Sequence, residues 1–288
     1  GAPSYEKVRD IIQANPETLF VGPAYLEVEL TGRCELECIF CYRSTLPAEH
    51  GDMDPALYRK MLAGMREFGL PYSLCLGGSG EPLMHKSVYD LLDATLKEDL
   101  VRNLVIETNG ISADENFRSY VSEKGDGRIR VIANVNGHNA GTYTALHGSD
   151  HFAAVHRNLL GLREALPGKD ALYVQVMKIN ETEACLDEYY DFWEKTGITI
   201  ILQKQDTFLG RIRDRRYSDL SPLDRTPCWH LQRDLYILSD GRAAFCKQDV
   251  DGACARGNLN TQGIREIWQN SLPHFLGDYR GQYPDNPD

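Results

Sequence analysis

Tyr25-Leu26-Glu27-Val28-Glu29-Leu30, followed three residues on by Cys34-Glu35-Leu36-Glu37-Cys38-Ile39-Phe40-Cys41, is the stretch on which the reading of the chain turns. Its first part alternates apolar and acidic residues, the period of a strand with two different faces. Its second part crowds three cysteines onto the loop that leaves that strand, where the backbone can curl around a metal. Thiolates spaced by four and three residues can hold three corners of an iron-sulfur cubane and leave one iron without a protein ligand. The alternative is a structural zinc site, which wants a fourth closing ligand nearby and usually shows paired C-x2-C units. Neither lies in this stretch, and the spacing favours the cluster.

Working outward, short strand-like runs alternate with helix-like runs. After an opening helix over Tyr5 to Ala14, strands are expected at Tyr25 to Leu30, Tyr72 to Leu76, Leu104 to Thr108, Arg130 to Val135, Leu172 to Lys178 and Thr199 to Gln203. Between them lie the amphipathic segments Pro55 to Phe68, Ser87 to Leu96, Phe152 to Ala165 and Glu183 to Lys195. Such alternation predicts parallel strands joined by right-handed crossovers, an α/β barrel of six units that is closed or left open. The strands also carry polar residues at period two: Glu27 and Glu29, Ser73, Glu107 and Asn109, Asn134 and Asn136, then Gln175 and Gln203. A packed small barrel fills its inside with branched apolar side chains, so this pattern predicts a lumen with room for water and ligand.

From Asp206 to Pro227 the periodicity fades into a charged connection. Beyond it, Leu235 to Leu238 and Ala243 to Cys246 flank Ser239-Asp240-Gly241-Arg242, a hairpin signal, with one or two short helices after that around Gly263 to Asn270. The expected division is an N-terminal helix in 1–20, the barrel in 21–205, a linker in 206–227 and a small hairpin-plus-helix domain in 228–288. With 288 residues and 42% hydrophobic content the chain can bury a sizeable core. A net charge of -11 repels nucleic acid and anionic lipid, and the basic run Arg211, Arg213, Arg215, Arg216 reads as a solvated linker. No apolar run approaches a membrane span and no leader opens the chain, so the expectation is a cytoplasmic protein. The eight cysteines suit a reducing compartment; Cys75 and Cys185 read as small core residues.

Beyond the cysteines, further segments carry a resemblance. Gly77-Gly78-Ser79-Gly80-Glu81-Pro82 follows the second strand, Ile106-Glu107-Thr108-Asn109-Gly110 ends the third, and Val131-Ile132-Ala133-Asn134-Val135-Asn136-Gly137 ends the fourth, with Tyr143-Thr144-Ala145-Leu146-His147-Gly148 behind it. With the C-x3-C-x2-C loop and its Phe40, these resemble the radical S-adenosylmethionine (SAM) superfamily. The resemblance implies a partial (β/α)6 barrel in which Cys34, Cys38 and Cys41 ligate a 4Fe-4S cluster and SAM chelates the open iron. Gly77, Gly78, Ser79, Gly80, Glu81 and Pro82 then lie against the methionyl amine; Thr108, Asn109, Phe40, Asn134 and Asn136 complete the cofactor site. Many relatives carry serine and aspartate where Asn134 and Asn136 stand, and an amide can bond a ribose hydroxyl but cannot act as a base.

Cys228 and Cys246, with the Asp240-Gly241 turn between them and Ile264-Arg265-Glu266-Ile267-Trp268 behind, are similar to the front half of a SPASM or twitch domain. Pro227-Cys228-Trp229-His230-Leu231 with Arg233-Asp234 is similar to the spiro-SPASM branch. This implies an auxiliary iron-sulfur cluster on Cys228 and Cys246, with Cys254 either a substitute ligand or incidental. Relatives close the domain with a C-x2-C pair, whereas this sequence starts without a methionine and stops at Asp288 before such a pair. The expectation is therefore of a truncated piece that loads its second cluster poorly.

The implied activity is reductive cleavage of SAM to a 5′-deoxyadenosyl radical that takes hydrogen from a peptide or a small hydroxylated molecule. It calls for a low-potential electron donor such as flavodoxin or ferredoxin. No catalytic acid or base stands out. Lys178, Lys204 and Asp206 are either substrate contacts or solvated strand ends. A noncatalytic iron-sulfur or zinc-binding module is the other class, and it leaves the SAM-like segments and the polar lumen without a purpose.

Overall fold

Strand β1, Tyr25–Glu29, stands inside a mixed sheet and not at its edge. The computed structural model describes residues 14–46, 51–166, 168–218, 228–280 and 282, with positions 7 and 10 besides. Most of the expected opening helix falls outside the described residues. On one side of β1 follow, in sequence order and all parallel, β2 (Tyr72–Gly77), β3 (Val101–Thr108), β4 (Ile129–Asn134), β5 (Leu172–Lys178) and β6 (Thr199–Lys204). That is the six-unit α/β arrangement anticipated from the alternation, open between its first and last strands.

Period-two burial explains why these segments are strands. Leu26, Val28 and Leu30 are fully buried on the helix side, as are Leu74 and Leu76, Leu104 and Ile106, and Val174 and Val176. Against them pack Tyr58, Met61, Phe117, Leu159 and Trp193 from the surrounding helices. The helix Pro55–Met65 starts where Asp54 Oδ1 accepts the Ala56 N–H at 2.6 Å, with Pro55 at a position that has no N–H to lose. Two helices that the periodicity did not predict, Glu115–Lys124 and Ala140–His147, are set by their caps. Asp114 accepts from Asn116 and Phe117, while Asn139 and Thr142 cap one another and Gly148 ends the turn in the left-handed region.

The C-terminal region continues the sheet of the barrel. Its strand β7 (Asp234–Ile237) adds to the free edge of β1 in parallel, pairing Leu26 with Leu235 and Val28 with Ile237. The hairpin partner β8 (Arg242–Ala244) and the short β9 (Gly257–Asn258) follow antiparallel, giving a continuous sheet of nine strands among the described residues. An open barrel leaves β1 with unpaired N–H and C=O groups; the β7 backbone pairs with them, and its apolar residues fall in phase with those of β1.

The charged stretch after β6 also differs from a solvated linker. Arg215 pairs with Glu181, Arg211 with Asp251 and Arg216 with Asp214, while Gln205 accepts the Arg215 N–H at 2.7 Å and donates to Arg213 O at 3.0 Å. The acidic partners of Arg211 and Arg215 lie 40 and 34 residues away in sequence, so the local pattern could not reveal them. No helix among the described residues is long and apolar enough to cross a membrane.

Where β1, β2 and β7 end together, Glu29 is 3% exposed and joins them. Its Oε2 accepts from Ser79 Oγ (2.5 Å) and N (3.1 Å), and its Oε1 from Ser239 Oγ (2.9 Å) and N (3.3 Å). Replacing Glu29 with Ala leaves buried donors on both sides without an acceptor. The expected result is a loss of about 3 kcal/mol of unfolding free energy, read by anaerobic denaturant titration, against a smaller loss for Glu29→Gln.

Candidate functional site

The cysteine loop is fixed by backbone contacts before any metal is considered. Ile39 N–H donates to Leu146 O at 3.0 Å and Glu37 N–H to His147 O at 3.3 Å, so the last carbonyls of the helix Ala140–His147 hold the loop. Arg43 reaches back to Leu36 O at 2.6 Å, and Cys41 N–H to Cys38 O at 3.0 Å. At the start of the loop Arg33 makes a two-pronged pair with Asp52 and donates to Met84 O at 2.7 Å. The segment Gly77–Pro82 lies directly against it: Glu81 N–H donates to Arg33 O at 2.8 Å, and a Cβ on Gly80 would stand 2.1 Å from Thr31 O. Gly80 is therefore required for contact between two backbones, which is a different demand from the ligand space expected of it. Gly78 sits at φ +99°, a backbone conformation closed to most side chains.

Glu81 ties this segment to the end of β3. Its Oε1 accepts from Thr108 Oγ1 (2.8 Å) and Leu83 N (3.1 Å), and its Oε2 from Asn109 N (2.7 Å). Burial pushes the carboxyl up to about 7, offset by these donors. Asn109 in turn donates to Glu35 Oε2 at 3.1 Å and lies 3.8 Å from Cys34 Sγ.

These pieces surround one cavity of about 200 Å³, several times the share of volume of a water molecule at about 30 Å³. Cys34, Cys38, Phe40 and Cys41 form one wall; Gly77, Gly78, Gly80 and Glu81 another; Thr108, Asn109 and Asn134 a third. Its floor is the polar inner face anticipated from the sequence, with Glu27, Glu107, Gln175 and Gln203 from four different strands. Ser79 and Pro82 do not line it; Ser79 is spent on Glu29, and Pro82 opens a short 3-10 turn. Asn136 does not line it either. It sits at φ +55° with its Oδ1 accepting the Met177 N–H at 2.7 Å, a role in joining β4 to β5. Nor do Lys178, Lys204 and Asp206: Lys178 pairs with Glu183 at 3.7 Å, and Asp206 holds Phe208 N and Gln248.

Among the cavity residues given no role from the sequence are Phe208, Lys247 and His147. Phe208, also in the left-handed region, packs on Tyr42 with centroids 4.4 Å apart at the rim. Lys247, one residue past Cys246, reaches in from the C-terminal region and remains accessible to solvent. Glu27 foremost, with Glu107, Cys75 and Asp206, raises it above the ordinary lysine range. His147 is buried with Nδ1 3.0 Å from Cys38 Sγ and Nε2 2.5 Å from Val135 O. Burial lowers it to about 4, so the ring is neutral; the carbonyl can only accept, which puts the hydrogen on Nε2. Its sequence signal was its place in the Tyr143–Gly148 segment.

The donor set suits an iron-sulfur cluster. All eight cysteines are free of disulfides. Burial pushes the Cys34 thiol up to about 11 and raises Cys38 and Cys41 too, so these thiols release their protons only to a cation that takes the thiolate. Among the described residues no three His, Cys, Asp or Glu converge where a single metal ion could sit. The corners of a cubane need no such convergence, since each thiolate meets its own iron.

In the C-terminal region Cys246 is half-buried and feels Cys228 nearby, while Cys228 and Cys254 are both exposed, the Cys254 N–H on Asp249 Oδ1 at 3.1 Å. Beside Cys246 lies Arg256, 9% exposed, its guanidinium 4.5 Å from the Phe245 ring centroid. Its Nε and Nη1 are buried without a hydrogen-bond partner among the described residues. A buried cation with two idle donors next to two thiols is the setting an anionic cluster would satisfy.

Residues 28–192 match the Radical SAM superfamily, and residues 228–281 match SPASM, an iron-sulfur cluster-binding domain. An uncharacterized protein of Treponema pallidum (strain Nichols) is 29% identical over 293 residues, 96% of this chain and 80% of that one. The S-adenosyl-L-methionine-dependent 2-deoxy-scyllo-inosamine dehydrogenase of Niallia circulans is 28% identical over 247 residues, 85% of this chain and 82% of that one. Among solved structures, BtrN in complex with AdoMet and 2-DOIA aligns at a TM-score of 0.60 and 18% identity, covering 91% of this chain and 90% of its own. Streptococcus suis SuiB bound to precursor peptide SuiA aligns at 0.70 and 13% identity, covering 91% and 68%. At these identities the structural likeness concerns the fold.

The Gly80 contact yields an expectation that separates loop packing from ligand space. Gly80→Ala forces the Thr31–Arg33 backbone away, at a cost of about 1–3 kcal/mol. Iron content after anaerobic reconstitution should fall together with SAM affinity. Normal iron with weakened SAM binding alone would show that Gly80 serves the ligand instead.

Proposed function

Because the chain belongs to the radical SAM superfamily and ends in a SPASM domain, we propose that it takes a hydrogen atom from a small hydroxylated substrate held in the barrel cavity and oxidises it. The observation that carries this reading is the convergence of the three-cysteine loop, the Gly77–Glu81 segment and Thr108–Asn109 on one cavity with a polar floor. A 4Fe-4S cluster with bound SAM supplies reductive cleavage to a 5′-deoxyadenosyl radical; all else here is the work of this chain's own side chains.

In this reading Cys34, Cys38 and Cys41 hold three corners of that cluster. Gly77, Gly78 and Gly80 bring the backbone close to the methionyl end, and Glu81 keeps that backbone in register with Thr108 and Asn109. Asn134 faces the cavity as a hydroxyl partner, and Phe40 and Phe208 shield its rim from water. Asn136 and Ser79 support these groups from behind. Cys228 and Cys246, with Arg256 as countercharge, hold the auxiliary cluster; Cys254 is the third candidate ligand. The barrel spans 21–205 and the auxiliary domain begins at 228. A flavodoxin or ferredoxin is the proposed electron donor.

Oxidation of a hydroxylated molecule is favoured over peptide modification because the dehydrogenase relative matches along 85% of this chain, while the peptide-bound structures share the fold alone. A noncatalytic module has no use for the polar cavity. The test is SAM cleavage by the anaerobically reconstituted, chemically reduced protein. 5′-Deoxyadenosine should form, and should be lost when Cys34, Cys38 and Cys41 are all changed to Ala. Undiminished cleavage by that triple variant would remove the cluster from this loop.

A further inference from the structure

Resting on the auxiliary cluster of that reading, we infer that Arg256 donates hydrogen bonds to the sulfur atoms of this cluster and raises its reduction potential. The residue stands where the segment from Cys246 through Cys254 enters β9, and the fold fixes it there. Its N–H donates to Ala243 O at 2.8 Å, its carbonyl accepts from Asn270 Nδ2 at 3.0 Å, and its Nη2 donates to Phe245 O. The guanidinium also lies over the Phe245 ring, so the side chain is held against the residue immediately before Cys246.

That leaves Nε and Nη1, both buried and without an acceptor among the described residues, on a residue that is 9% exposed. A guanidinium cannot shed its charge, so such burial is costly until an acceptor meets the donors. The protein groups around it do not. Asp249 is near, but its Oδ2 accepts the Phe245 N–H at 2.9 Å and its Oδ1 the Cys254 N–H at 3.1 Å. Tyr236 is near as well and is engaged with Asp234 Oδ2 at 3.0 Å. Cys246 and Cys228 are the neighbours that remain. A freely diffusing anion is a poor candidate, because Arg256 lines neither the cavity at the cysteine loop nor the smaller one beside Cys246. The acceptor is then the group that these two thiolates themselves bind, an iron-sulfur cluster with negative charge on its sulfurs.

The effect on the cluster follows from the same physics. Hydrogen bonds to sulfur draw electron density away from iron, and a fixed positive charge favours the state with one more electron. Both stabilise the reduced cluster more than the oxidised one. A lysine would supply the charge, but it gathers its hydrogens on one nitrogen where arginine spreads them over three. Arg256 acts through the cluster, as a positioning residue, and not on the substrate.

The test uses the full chain with Cys34, Cys38 and Cys41 changed to Ala, which keeps the auxiliary cluster alone, and follows its reduction by EPR in a potentiometric titration. Adding Arg256→Met should make the one-electron reduction at least about tenfold less favourable, a shift of about 59 mV to more negative potential, with Arg256→Lys in between. An unmoved midpoint in Arg256→Met overturns the inference. So does a midpoint in Arg256→Lys equal to the parent's, since charge alone would then suffice. Pulsed EPR of the parent grown on isotope-labelled arginine must show a nitrogen coupled to the reduced cluster that Arg256→Lys lacks, and its absence overturns the inference even where Arg256→Met fails to load iron. Iron content of the triple variant and SAM cleavage by the protein with all its cysteines are measured in parallel. SAM cleavage, iron in the triple variant and an unmoved midpoint together remove the role of Arg256 and leave the functional reading standing. No iron in the triple variant counts against a cluster on Cys228 and Cys246 itself, and the inference falls with it.

Discussion

Four hydrogen bonds to one buried carboxylate hold the two halves of this protein in register. Glu29 accepts from the backbone and hydroxyl of Ser79 on one side and of Ser239 on the other. Ser79 sits in the glycine-rich segment proposed to meet SAM, and Ser239 in the hairpin turn that leads to Cys246. Burying a carboxylate is unfavourable unless its lone pairs are filled, so the residue enforces the very geometry that satisfies it. A shift of the hairpin relative to the barrel breaks those bonds, and with them the position of the segment that carries Cys246 and Lys247.

Around that anchor the cavity rim is built by backbone more than by side chains. The Thr31–Arg33 backbone and Gly80 touch directly, the cysteine loop hangs from the end of a helix, and Glu81 spans to Thr108 and Asn109. Such contacts leave little freedom for reorganisation when a cofactor arrives, which is what preorganisation requires of a site that must hold charge in a dry cavity.

Much of this could be read from the chain because its signals are local. The six strands of the barrel follow from period-two burial, the hairpin from Asp240-Gly241, and the polar lumen from Glu27, Glu107, Gln175 and Gln203 on alternate positions. What could not be read is whatever depends on partners distant in sequence. The parallel docking of β7 on β1 has no local mark, since Leu235 and Ile237 would suit any apolar face. Arg211 and Arg215 look solvated until Asp251 and Glu181 are brought to them. Lys247 resembles any surface lysine, and Asn136, chosen for its place in a motif, is held by the Met177 backbone instead. Glu115–Lys124 and Ala140–His147 were missed because short, capped helices owe more to Asp114 and Asn139 than to periodicity.

The pairing of β1 with β7 has a consequence for how the chain is made. Residues 25–29 leave the ribosome some two hundred residues before their partners at 234–237, so throughout synthesis of the barrel β1 presents a bare parallel edge. A contact of such long sequence separation forms late and slowly. The nascent protein is most open to wrong pairing with another strand edge during that interval, and the apolar Leu235–Ile237 segment, arriving after all six barrel strands, covers that edge and ends the hazard.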